Sequence, residues 1–137
     1  MSPYYNQNYT KEDIDRIIGT IRHCLKNNRY IVSLNKNRPE NLKFVKTYGL
    51  GKDERKNALM QIQTEDFCHT LNNIKPGYEH EILYVFVHQF KLFEKIGEKE
   101  KIVDVYVKFN IIDLQGEKEF VAISFHRLNK KVDYLFR

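Results

Sequence analysis

Two runs in the C-terminal half constrain the fold of this chain more than anything else in it. Ile102 to Ile111 places Val103, Val105, Val107, Phe109 and Ile111 at alternate positions, with Asp104, Tyr106, Lys108 and Asn110 between them. Phe120 to His126 repeats the pattern, with Val121, Ile123 and Phe125 on one side and Phe120, Ala122, Ser124 and His126 on the other. A period of two is the signature of a strand with two unlike faces. Paired as neighbours, these strands bury one apolar face and turn Tyr106, Lys108, Ser124 and His126 toward a common side. A phenol, an ammonium and an imidazole there can move protons and hold phosphate.

The chain around these runs has 137 residues, the size of one domain (1–137) with one core. A hydrophobic content of 42% with 13% aromatics argues against disorder. No apolar run approaches the roughly 20 residues of a membrane-crossing helix, and Met1 to Asn8 lacks the basic-then-apolar order of a signal peptide. No membrane partner and a cytoplasmic location are expected. Cys24 and Cys68 have no metal-type spacing and form no disulfide framework, so both are expected to be free thiols. The net charge of +5 is uneven: Arg22 to Lys56 holds ten basic and three acidic residues, a balance of +7 that leaves −2 elsewhere. Such a segment favours a polyanionic partner, nucleic acid first and an acidic protein second, although a solvated helical surface would carry the same charges.

Residues 1–9 read as a loose arm. Thr10 is a suitable N-cap for a helix with Glu12 and Asp13 in its first turn and Ile14, Ile17, Ile18, Ile21 and Leu25 on one face. Tyr30 to Leu34 is β-like. Pro39 can open a second helix, which Gly49 and Gly51 break before a third from Asp53 to Gln61. Thr64-Glu65-Asp66 predicts a cap for a short helix through Leu71, which would carry His69. Residues 10–72 are thus expected to be mainly helical. From His80 onward alternation replaces helical spacing, with a hairpin around Gly97, a turn at Asp113 to Lys118 and a last edge strand at Val132 to Phe136. Helices followed by strands with short turns give an α+β fold: N-terminal helices packed on an antiparallel sheet spanning 80–136.

The five histidines lack HExxH spacing, and neither GxxxxGK[ST] nor GxGxxG occurs. Ser124 has no flanking glycines to form a nucleophile elbow. No helix-turn-helix pair with a basic recognition helix is evident. Acid–base chemistry on RNA without metal or cofactor fits the remaining residues. There a 2′-hydroxyl loses a proton as it attacks phosphate, the 5′-oxygen gains one, and a cation stabilises the phosphorane. Histidine suits both proton roles, lysine the charge, and tyrosine a hydrogen bond or a stacked base.

Three stretches resemble the MqsR family of bacterial toxins: Tyr48-Gly49-Leu50 through Ile62, Thr64-Glu65-Asp66-Phe67-Cys68-His69, and the pair Val105-Tyr106-Val107-Lys108 and Ile123-Ser124-Phe125-His126. The resemblance covers roughly residues 10 to 128. It implies a RelE-like fold, an mRNA-cleaving endoribonuclease and a cognate antitoxin partner. Tyr106 matches a tyrosine implicated in the family's catalysis, and Lys108 matches the lysine beside it. His126 stands where the family usually has a catalytic lysine and His69 where another lysine often stands, so histidines would serve as acid and base. A family glutamine on the first strand has no clear match, Tyr84 being closest. The expected site is catalytic His126, His69, Tyr106 and Lys108, with Arg22, Lys43, Lys46, Arg55 and Lys56 along the RNA backbone. The alternative on the same scaffold is a non-catalytic protein that binds nucleic acid or an acidic partner.

Overall fold

The computed structural model describes residues 5–137. In chain order it has β1 (Tyr5–Asn6), α1 (Lys11–Lys26), β2 (Tyr30–Val32), α2 (Pro39–Tyr48), α3 (Lys52–Met60), a 3-10 turn (Thr64–Asp66), β3 (Phe67–Asn72), β4 (Ile82–Glu94), β5 (Lys99–Leu114) and β6 (Glu117–Arg127). The strands form one six-stranded sheet in the order β1-β3-β4-β5-β6-β2. The α+β class is as expected. The sheet departs from a pure meander at one edge, where β2 joins β6 in parallel through Tyr30↔Phe120 and Val32↔Ala122. Among the described residues no helix is long and apolar enough to cross a membrane.

The helices begin and end where local chemistry directs. Thr10 caps α1 in a capping box with Asp13, each side chain bonding the other's backbone N–H. The apolar stripe Ile14, Ile18, Ile21 and Leu25 is buried against the sheet. Pro39 occupies the first turn of α2, and Gly49, at φ 60°, ends it in the left-handed conformation that costs glycine least. On the helix-covered face, Phe86, Phe109 and Phe120 form an aromatic ladder across three strands, with centroids 5.6 and 4.6 Å apart. Burying each such ring contributes about 1.5–3 kcal/mol.

Three expectations are corrected. The helix predicted through Leu71 stops after one 3-10 turn, and Phe67–Asn72 continues as β3, placing His69 on a strand. The cap signal was real: the Asp66 carboxylate accepts from the Gln63 N–H. Tertiary pairing outweighs it, because Phe67 packs edge-on to Phe86 and the backbone joins β4. The arm is not wholly loose, since Tyr5–Asn6 pairs with Thr70 and Leu71 of β3 and Gln7 donates to the Cys68 carbonyl. Val132 to Phe136 forms no strand; it belongs to an irregular strap, 128–137, whose Leu128, Val132 and Tyr134 cover the sheet face opposite the helices and whose Leu135 and Phe136 pack against the helix-side core.

Two β-bulges decide which side chains look toward which layer. In β6 the register against β5 shifts between Lys108 and Phe109: Lys108 pairs with Ser124, but Phe109 pairs with Ala122, leaving Ile123 extra. Phe120 and Ala122 therefore enter the helix-covered core together with Phe125, whereas simple alternation put them opposite Phe125. In β3 a bulge between Phe67 and His69 leaves Cys68 extra, so that His69 opposes Val85. A bulge inserts one residue and resets the alternation beyond it. Two backbone groups of β6 at the bulge are taken up by Asn41, 1% exposed on α2: its Nδ2 donates to the Ile123 carbonyl and its Oδ1 accepts from the Phe125 N–H, while the same Nδ2 also donates to the Ser33 carbonyl after β2.

Candidate functional site

The face away from the helices is divided in two by the strap. One half is dry. Leu128, Val132 and Tyr134 cover Cys68, Val85, Val87 and Tyr106. The strap is pinned by the Leu135 N–H on the Phe67 carbonyl and by Arg137, whose guanidinium lies 2.8 Å from Asp66. Asp66 is buried and also receives His88 at 2.5 Å. The other half is open, and here the N-terminus of α2 meets β6.

At that junction His126 stands between Tyr106 and Glu40. Its ring stacks on the Tyr106 ring, with centroids 5.4 Å apart and an interplanar angle of 18°. Its Nδ1 is 2.9 Å from the Arg127 carbonyl and its Nε2 is 3.4 Å from the Glu40 carboxylate. A carbonyl can only accept, so Nδ1 carries a proton and Nε2 is the nitrogen left for chemistry. Asn41 holds α2 against β6, and Glu40 is its chain neighbour; the bulge contact thereby positions the carboxylate. The pair borders two cavities. One, of about 250 Å³, has Lys43, Arg127 and Asn129 in its walls. A smaller one, of about 70 Å³, has Arg38 and Ser124.

The remaining expected residues divide sharply. Tyr106 is 3% exposed, and burial pushes its phenol up to about 12, so it serves as a neutral platform beneath His126, with the Lys130 ammonium also over its ring at 5.1 Å from the centroid. Lys108 is half-buried; burial lowers its pKa, and the nearby Arg38 and Lys130 lower it further. None of these three cations forms a salt bridge with a described residue. Lys108 lies two residue pairs along the strands from the Tyr106–His126 pair, roughly 7 Å away on the same face.

His69 is not brought to His126. Three strand spacings separate them, roughly 14 Å across the sheet. His69 is 8% exposed, stacked on Tyr5 at 4.4 Å, and its Nδ1 has no partner among the described residues. Burial, with Lys130 adding to it and Asp133 opposing it, lowers its pKa to about 4. A neutral, enclosed imidazole at the far side of the sheet is a packing residue.

Of the basic residues expected along RNA, Lys43 alone borders the His126 cavities. Arg22 donates to the Ile62 carbonyl, Arg55 to the Leu50 carbonyl, and Lys56 to Asn28, all within the helical layer. Lys46 is exposed near the end of α2. Sequence reasoning passed over Arg38, Glu40 and Lys130. The only available signal was that Arg38 and Glu40 flank the helix-opening Pro39, where polar side chains project from a helix start. Among the described residues no three His, Cys, Asp or Glu side chains gather into a metal-binding group, and Cys24 and Cys68 are buried free thiols.

No family model, curated protein or solved structure matches this chain.

Proposed function

We propose that this chain is an endoribonuclease that cleaves single-stranded RNA without a metal, with Glu40 and His126 as its acid–base pair. The observation that carries the reading is the 3.4 Å contact between His126 Nε2 and the Glu40 carboxylate, set among cations that no described carboxylate neutralises. In the proposed step the Glu40 carboxylate takes the proton of the 2′-hydroxyl as that oxygen attacks phosphorus. The P–O5′ bond breaks, and the His126 imidazolium protonates the leaving 5′-oxygen. The products are a 2′,3′-cyclic phosphate and a 5′-hydroxyl. The Glu40–His126 contact returns the proton for the next cycle. Arg38 and Lys108 offset the phosphorane charge, and Lys43 with Arg127 hold the chain beyond it. Tyr106 acts through His126 by fixing its ring.

On this reading the resemblance to mRNA-cleaving toxins, with their RelE-like scaffold, extends to function. An acidic antitoxin would then cover the same open face. The scissile pair differs from the expected one, with Glu40 taking the place assigned to His69.

The test is cleavage of a mixed-sequence RNA in excess chelator by wild type, His126→Ala and Glu40→Gln. Wild type should leave 2′,3′-cyclic phosphate ends, and each variant should lose about 10²–10⁴-fold in rate, the usual contribution of a positioned acid or base. The non-cleaving alternative draws support from the enclosure of His126, whose side chain is 12% exposed. Absence of cleavage by wild type, with salt-sensitive RNA binding retained, would decide for that binder.

A further inference from the structure

A cavity of about 490 Å³ on the open face lies beyond Arg38, within the range of roughly 300–1,000 Å³ that small-molecule sites occupy. Its floor is apolar sheet: Leu71, Leu83 and Ile123. Its rim carries Ile74, 72% exposed. Arg38 and Lys108 supply two cations to its wall, and no carboxylate lines it. The facing wall is the pair Asn72 and Asn73. Asn72 uses its Nδ2 on the Glu79 carbonyl, which leaves its Oδ1 as an acceptor. Asn73 uses its Oδ1 on the Lys75 N–H, which leaves its Nδ2 as a donor.

An apolar floor, a donor and an acceptor on one wall and two cations on the other make an amphipathic slot for something flat and anionic. Single-stranded RNA supplies that chemistry, because an unstacked base offers a π face and polar edge while its phosphate seeks cations. We infer that this groove is a nucleotide subsite. A base lies over Leu83 and Ile123 with its edge toward Asn72 and Asn73, and its 3′-phosphate rests between Arg38 and Lys108. Arg38 borders both this groove and the small cavity beside Glu40 and His126, so a nucleotide seated here adjoins the position of the cleaved phosphate. The inference rests on the proposed RNA-cleaving reading for its placement next to the reaction. The groove's own chemistry makes it testable with mononucleotides alone.

The bulge in β6 builds this site. It leaves Ile123 on the floor two positions after Val121, and the pairing of Lys108 with Ser124 just before the register shift keeps the lysine on the same face. The strap ends the apolar surface on the other side, so the groove is the part of this face that stays open.

The experiment is methyl and amide NMR titration of the full chain with adenosine 3′-monophosphate, uridine 3′-monophosphate and inorganic phosphate. At least one nucleotide should bind ten-fold or more tightly than phosphate and shift the methyls of Leu83 and Ile123. Ile74→Ser, a neutral change at an exposed rim that leaves the core untouched, should weaken the nucleotides about ten-fold and leave phosphate unchanged; Arg38→Gln should weaken both. Nucleotides that bind no better than phosphate, or that ignore Ile74→Ser, overturn the inference. RNA cleavage by a chain that fails this titration overturns the groove alone. Nucleotide binding by a chain that does not cleave RNA overturns the cleavage reading and keeps the groove.

Discussion

His69 should make the protein acid-sensitive in a way that one substitution removes. In the fold its pKa lies at about 4, while in the unfolded chain it returns to the ordinary 6.5. The unfolded state therefore binds a proton that the folded state refuses. The stability this group confers is complete above pH 6.5 and is lost as pH falls toward 4. Two and a half pH units at about 1.36 kcal/mol each correspond to roughly 3 kcal/mol. Asp133 faces the imidazole and Lys130 opposes its protonation, so both belong to the same balance. His69→Phe keeps a ring against Tyr5 and removes the titration. The assay is urea denaturation followed by far-UV circular dichroism, suitable for a chain without tryptophan, at intervals from pH 7.5 to 4. Carboxylates titrate in both proteins, so the quantity that matters is the difference between the two curves. Wild type should lose roughly 3 kcal/mol more than His69→Phe over that interval. Parallel curves, or an imidazole that titrates near 6.5 by NMR in the native state, would refute the reasoning.

Asn41→Ala should destabilise the protein by roughly 3 kcal/mol, because it strips three backbone hydrogen bonds, two at the β6 bulge and one at Ser33; a loss below about 1 kcal/mol in chemical denaturation would show that water replaces the amide. Arg137→Ala leaves the buried Asp66 with one charged partner fewer and should cost about 1–3 kcal/mol, with faster amide exchange along 128–137; unchanged exchange would mean that the strap is held by its apolar contacts alone. Lys108→Met should weaken RNA binding and reduce the slope of log affinity against log salt by about 0.7, and an unchanged slope would remove Lys108 from the phosphate contacts.

The amino-acid order by itself determined the type and rough bounds of the three helices and the three long strands. The helical stripe after Thr10, the Pro39 start, the Gly49 stop and the long alternating strands rest on contacts close in sequence, and local chemistry suffices to read them. It also placed Tyr106, Lys108 and His126 on one face, since the register of two neighbouring strands follows from which side must be buried. Tertiary structure alone decided the rest. A bulge at Ile123 is one residue of slack, stable only because Asn41, 82 residues away, satisfies the backbone it exposes. Without that partner, nothing in Phe120 to His126 shows that Phe120 and Ala122 turn inward. The fate of Thr64 to Leu71 was likewise settled by pairing with β4 over an otherwise sound helix cap. The two histidines, legible as chemistry, are separated by strand order, and Glu40 reaches His126 only because α2 docks beside β6. Local signals decide what most segments become, Thr64 to Leu71 excepted. The meeting of Glu40 with His126 depends on long-range packing, whose partners lie too far along the chain for periodicity to reveal.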